Sequence, residues 1–290
     1  MNIECLLDAQ ADLGEGPCWD DREQQLYWVD INAGIIHRTS ADGKSDEEIS
    51  VGEKVGAVVL RETGGLLAAT ERGFAFVDPA GGGLDRIADP EPDNPDTRFN
   101  DGKCDPGGRF WAGSMSLSRM TGSASLYRLD PDKSLTKWVE GVTVSNGMAW
   151  NLQLDRMYYI DSPTKSVVSF AYEPESGEIS SPSIALQTPE SMGSPDGMTI
   201  DDEGMLWIAF YRGGCVARWN PETGRMLSKI EVPAPNVTSC CFGGPGMDTL
   251  YITTARQKME VDALAEFPQS GGLFQVRPGV SGSSSYRFKG

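Results

Sequence analysis

Histidine is almost absent from this chain: His37 is the single imidazole in 290 residues. A Ser-His-Asp triad needs an imidazole beside its nucleophile, and a multi-histidine metal site needs several, so both are disfavoured. His37, in Asn32-Ala33-Gly34-Ile35-Ile36-His37-Arg38, is read as a structural strand or surface residue. Basic residues are also scarce, 25 Lys and Arg against 42 Asp and Glu, and the net charge of −17 repels polyanions and argues against a nucleic-acid partner. Cysteine is present six times, but without CxxC spacing and with Cys240 and Cys241 adjacent. That pattern suits neither a disulfide framework nor a zinc site, and buried reduced thiols are expected. Eighteen consecutive apolar residues occur nowhere, and Met1-Asn2-Ile3-Glu4-Cys5 lacks the basic start of a signal peptide. The expectation is a cytoplasmic protein with no membrane partner, a monomer or weak oligomer.

Long amphipathic helical patterns and linkers rich in Pro, Gly and Ser are missing too. What fills the chain is a repeat. Short apolar and aromatic runs begin at Leu26, Leu66, Phe110, Met157, Leu206 and Leu250, at intervals of 40, 44, 47, 49 and 44 residues. Before each run stands a turn rich in Gly, Asp, Asn or Pro, and further strand-and-turn units follow, giving about four strands per repeat. Six such repeats predict an all-β, six-bladed β-propeller with four-stranded blades around a central channel, one domain over 1–290. An open β-sandwich is the competing fold, disfavoured by the even spacing. Ile3-Glu4-Cys5-Leu6-Leu7 and Gly272-Leu273-Phe274-Gln275-Val276 are expected to pair and close the ring.

Ten or eleven residues ahead of four of the six runs lies a carboxylate or amide: Glu15, Asn100, Asn146 and Asp196. On the expectation that each run is the innermost strand of its blade, these residues sit just before the channel lining and converge on the axis. Glu15, Asn146 and Asp196 form a hard-oxygen set suited to calcium, magnesium or manganese. Each has glycine beside it, expected to let backbone approach the ion or ligand. One Asp-Gly or Asn-Gly pair is an ordinary turn, but turn chemistry does not explain a shared phase.

With Leu13-Gly14-Glu15-Gly16-Pro17, Arg98-Phe99-Asn100-Asp101-Gly102-Lys103, Ser145-Asn146-Gly147-Met148, Pro195-Asp196-Gly197-Met198 and Ser239-Cys240-Cys241-Phe242-Gly243-Gly244, the chain resembles the senescence marker protein, gluconolactonase and regucalcin-like family over nearly its whole length. The resemblance implies a six-bladed propeller, one divalent cation (Ca, Mg, Mn or Zn, with Ca slightly favoured) held by Glu15, Asn146 and Asp196, and lactonase activity toward aldonolactones. It implies sugar contacts from Arg98 and Asn100. Animal members carry a glutamate where an ungapped count from Asn100 reaches Ser118, in a loop that is shorter here, which bears on the sugar rather than the metal.

Lactone hydrolysis needs an activated water and stabilisation of an oxyanion, and one divalent ion can serve both. Without a histidine triad the base falls to a carboxylate, Asp196, or to water activated by the metal. Arg98 offers donors to hydroxyls or to developing charge, its plain alternative being a surface salt bridge. Asp101 is either a neighbour of the metal ligands or a turn residue. Two other functions stay open: a non-catalytic calcium-binding propeller, and a metal-dependent esterase or organophosphatase.

Overall fold

In a computed structural model, residues 2–290 form six four-stranded antiparallel sheets, with one short α-helix at Val261–Glu266 and 3-10 turns at Ser162–Thr164 and Glu190–Met192. The chain is a six-bladed β-propeller. The first strand of each blade (Gly14–Asp20, Val55–Leu60, Thr97–Cys104, Ser145–Trp150, Ser194–Ile200 and Val237–Gly243) packs against the first strands of both neighbours, and together they line the axis.

The apolar runs of the repeat are the second strands, not the innermost ones, and the in-phase polar residues lie inside the first strands rather than ahead of them. The reason is burial. Second strands are covered on both faces, so Trp28, Val29, Ala68, Trp111 and Ile208 are at most 1% exposed, and they read as unbroken apolar runs. First strands such as Gly14-Glu15-Gly16-Pro17-Cys18-Trp19-Asp20 look like turns because they are bulged. All six lose register with their second strand at the same place, between Glu15 and Cys18, Val55 and Ala57, Phe99 and Asp101, Ser145 and Met148, Pro195 and Met198, and Val237 and Ser239. A bulge frees residues from the ladder and re-aims their side chains.

The glycines at these bulges serve the strands more than a ligand. A Cβ on Gly147 would stand 2.6 Å from the Met198 Cβ and 2.7 Å from the Asp196 carbonyl oxygen, because the next inner strand closes in there. Gly16 is required by conformation instead, with φ at +53°.

The core is six clusters, each between two neighbouring blades. Phe74, Phe99, Phe110 and Tyr127 join the second blade to the third, and Trp207 meets Phe242 edge to face at 5.9 Å between the fifth and sixth. The last cluster seals the ring: Trp19 stacks on Tyr251 at 5.5 Å, with Trp28 and Leu273 alongside. Each fully buried aromatic is worth about 1.5–3 kcal/mol. Buried carboxylates pin the turns from first to second strand, Asp105 accepting from Trp111 Nε1 at 3.0 Å and Asp201 from Trp207 Nε1 at 2.8 Å.

Closure follows the expected pairing: Glu4–Leu7 is the outer strand of the last blade, with Glu4 opposite Gln275 and Cys5 opposite Phe274. The segment after that blade crosses the end of the ring where the first strands finish. Ser281 and Gly282 meet Asp202 and Met247, Arg287 pairs with Asp20 at 2.6 Å, and Phe288 bonds to Leu60. Ser283, Ser284, Ser285 and Tyr286 cap a cavity of about 220 Å³ on the axis. The channel is therefore approached from the opposite end, where the first strands begin. All six cysteines are free and five are buried, as expected.

Gly147→Ala tests the crowding of the inner strands. It is expected to lower stability by about 1–3 kcal/mol in urea denaturation; a loss under about 0.5 kcal/mol would show that these strands have room to part.

Candidate functional site

Glu15, Arg98, Asn100, Asp101, Asn146 and Asp196 lie on the first strands of blades 1, 3, 4 and 5 and are at most 8% exposed; Asn100, Asn146 and Asp196 fall within the bulges, Glu15 and Asp101 border them, and Arg98 pairs with Met115 close by. The bulges re-aim the residues within them, and a short network fixes their orientation. Asn146 Nδ2 donates to Ser162 Oγ at 3.0 Å, and that hydroxyl donates to the Pro195 carbonyl at 2.7 Å, tying the fourth blade to the strand that carries Asp196. With its nitrogen committed, the Asn146 Oδ1 is buried and has no hydrogen-bond partner among the described residues. Such an oxygen costs about 1–3 kcal/mol unless something meets it.

Arg98 is buried and forms no salt bridge among the described residues, so the surface ion pair does not apply. Its Nη1 donates to the Phe99 carbonyl at 2.8 Å and to Asn100 Oδ1 at 2.9 Å, leaving its other donors free among the described residues. Asn100 Nδ2 donates to the Ser145 carbonyl at 2.8 Å, so both ends of this amide are engaged by the protein. Asp101 Oδ1 accepts from the Gly102 amide at 2.7 Å. Ser118 lies apart: it is exposed, and its hydroxyl and amide donate to Asp96 at 2.7 and 3.0 Å, bracing the loop after the second strand of blade 3.

The electrostatics are those of concentrated negative charge out of water. Burial, then Asp196 and Asp101, push the Glu15 carboxyl well above its usual range. Asp196 is driven up by burial and by Asp101, partly offset by its contacts with Asn146 and Glu15. Burial raises Asp101 as well, against the pull of Lys103. Burial draws the Arg98 guanidinium down to about 10, though Glu15 and Asp196 favour its charge. One guanidinium and the Lys103 ammonium face three carboxylates, so the centre is complete only with further positive charge or with protons.

Ser162 and Ser145 are the site residues that sequence reasoning missed; neither has a type or phase that marks it. His37 is structural, stacked on Trp28 at 3.8 Å with Nδ1 2.8 Å from Asp46 Oδ2. It stands with Asp46 and Glu48 on the outer strands of the first blade, near enough for the three to share a cation, but remote from the axis.

The family model described as SMP-30/Gluconolactonase/LRE-like region matches residues 13–256. The chain belongs to this family. Regucalcin of Danio rerio is 39% identical over 293 residues, covering 100% of this chain and 99% of that one. The Bacillus subtilis protein YvrE, provisionally named a sugar lactone lactonase, is 40% identical over 290 residues with the same coverage. The solved structure of a calcium-binding protein, regucalcin, from Agrobacterium tumefaciens superposes with a TM-score of 0.94 at 25% identity, covering 98% of this chain and 96% of that one.

For this family member the carboxylates make stability depend on pH. Glu15, Asp101 and Asp196 have raised values in the fold, so the folded state holds more protons than the unfolded state above their ordinary values of 4.5 and 3.8. Their contribution is fully present below about pH 4 and is lost as pH rises through the raised values. In EDTA the melting temperature is expected to fall across that window relative to Glu15→Gln/Asp196→Asn protein; parallel pH profiles would contradict it.

Proposed function

We propose that this chain, acting as one domain, is a metal-dependent lactonase that opens a sugar (aldono-) lactone to the aldonic acid. The observation that carries this reading is the partnerless buried Asn146 Oδ1 beside the Glu15 and Asp196 carboxylates. Two carboxylates and an amide oxygen are hard donors and fit calcium first, with magnesium, manganese or zinc as alternatives. Names among the relatives, a sugar lactone lactonase and a calcium-binding regucalcin, support the same pairing of substrate and ion.

Glu15, Asn146 and Asp196 would hold the cation, which when bound polarises a carbonyl and acidifies water. Asp196 takes the proton from the attacking water; burial and Asp101 raise its carboxyl above the usual carboxylate range. That proton then passes to the ring oxygen as the acyl C–O bond breaks and the ring opens. Arg98, with Nη1 anchored on Phe99 and Asn100, turns its free donors to sugar hydroxyls and to the charge growing on the carbonyl oxygen. Asn100 fixes that guanidinium and offers its remaining hydrogen-bonding capacity to the sugar. Asp101, with one oxygen held by the Gly102 amide, contributes charge beside the ligands. The Ser118 loop, braced by Asp96, shapes the sugar pocket without reaching the cation donors. Three protein donors leave coordination positions for water and substrate, which favours an enzyme over a calcium store.

Exhaustive chelation is expected to abolish lactonase activity and a divalent cation to restore it, while full activity in metal-free protein would end this mechanism. Asp196→Asn should lower kcat about a hundredfold or more, and Asp101→Asn should do less; the reverse ranking in steady-state kinetics would overturn the roles.

Polyhydroxylated aldonolactones should exceed γ-butyrolactone in kcat/KM by about a hundredfold, because a substrate without hydroxyls leaves buried donors unpaired. Arg98→Ala should narrow that gap; equal losses on both lactones would leave a generic metal-dependent esterase or organophosphatase.

A further inference from the structure

Although the chain is strongly acidic and its open end carries carboxylates as well, a group of cations without partners among the described residues stands at the rim of this site. Five of the six loops that join the second to the third strand of a blade carry a cation: Arg72, Arg119, Lys165, Arg212 and Lys258. These loops lie at the open end of the channel, because the second strands run back to the start of the first ones, Gly14 opposite Asp30 and Ser194 opposite Tyr211.

Two of the five are engaged. Lys165 donates to the Gly193 carbonyl at 2.7 Å and to Ser194 Oγ at 3.2 Å, and Arg72 lies 4.0 Å from Glu53. The side chains of Arg119, Arg212 and Lys258 are exposed and have neither an ion pair nor a hydrogen bond among the described residues. All three occupy the left-handed backbone region, with φ of 58°, 62° and 61°. They are near one another and near the centre: the Lys258 ammonium is pulled below its usual range, first by Arg119, then by burial and Arg212, and the charge of Arg119 also reaches Asp196 and Arg98. Tyr211 Oη donates to the Gln257 carbonyl at 3.1 Å and ties the Arg212 and Lys258 loops together.

The buried centre does not need these cations. Glu15, Asp101, Asp196 and the nearby Glu71 are balanced by Arg98, Lys103 and one divalent ion, which leaves the three rim charges without a counterpart. In a chain of net charge −17 they form a local group of positive charge.

We propose that the sugar lactone received here is itself an anion, bearing a carboxylate or phosphate remote from the lactone carbonyl that is held by Arg119, Arg212 and Lys258. This deepens the lactonase reading and rests on it. The carbonyl lies at the axis beside the bulged carboxylates, and the charged end of the sugar rests against the rim. Arg119 is held in place by the neighbouring Ser118, whose amide and hydroxyl are both bound to Asp96.

The test uses three lactones with one sugar ring: the neutral aldonolactone, its terminal carboxylate and its terminal phosphate ester. Each is assayed on the metal-loaded protein at low salt and at about 0.5 M salt, where charge effects are screened. At low salt one anionic lactone should exceed the neutral one in kcat/KM by about tenfold, chiefly through KM, and the better of the two identifies the anion. The Arg119→Ala/Arg212→Ala/Lys258→Ala triple variant, or high salt, should bring that ratio close to one. Arg119→Lys/Arg212→Lys, which keeps the charge, should preserve it. A neutral lactone that equals or beats both anions, or a triple variant that slows all three alike, overturns the proposal. If no lactone is hydrolysed, the lactonase reading fails separately, and calorimetry with the open phosphorylated sugar acid decides the rim. Weaker binding to the triple variant retains the anion site; equal binding removes it.

Discussion

Negative charge confined at the axis is the constraint around which this molecule is arranged. Three carboxylates from the first, third and fifth blades share a space from which water is largely excluded, facing one guanidinium and the Lys103 ammonium. Such charges persist only when protonated or paired with a cation. Their surroundings serve to hold them there: bulges lie at or beside them, Gly147 and Gly197 let the strands that bear them converge, and Ser162 fixes an amide whose oxygen then points to no protein donor. The same arrangement would bind a hard cation, and without one it raises the basicity of its carboxylates.

The propeller was legible because its second strands are sandwiched between others, and full burial on both faces leaves only apolar and aromatic residues to choose from. Six such runs at nearly even spacing carry the blade count, and the apolar segments at the two ends carry the closure. What misled was the innermost strand. Bulges, close approach and polar function put Gly, Pro, Asp and Asn into Gly14–Asp20 and Ser194–Ile200, the residues that elsewhere signal turns. The polar phase was therefore read correctly and attached to the wrong element.

Within the site, Glu15, Asn100, Asn146 and Asp196 could be found from sequence because the bulge recurs at a fixed distance from the second strand. Arg119, Arg212 and Lys258 could not. They share a place on the ring but sit in loops of different length, so no common offset connects them, and their left-handed backbone is invisible in residue type. Ser162 escaped notice for another reason: a serine in a turn has an ordinary local explanation, and its link between two blades exists only in three dimensions.

The pairing of Glu4–Leu7 with Leu273–Val276 has a consequence for how the molecule comes into being. The two strands are separated by nearly the whole chain, so the first blade waits for its neighbour on one side until the sixth has left the ribosome. At translation rates of about 5–20 residues per second, Trp19, Leu26 and Trp28 stay uncovered on that side for many seconds. The nascent protein is a growing open arc with apolar ends, and its birth, more than its finished state, is when that seam is open to misassembly.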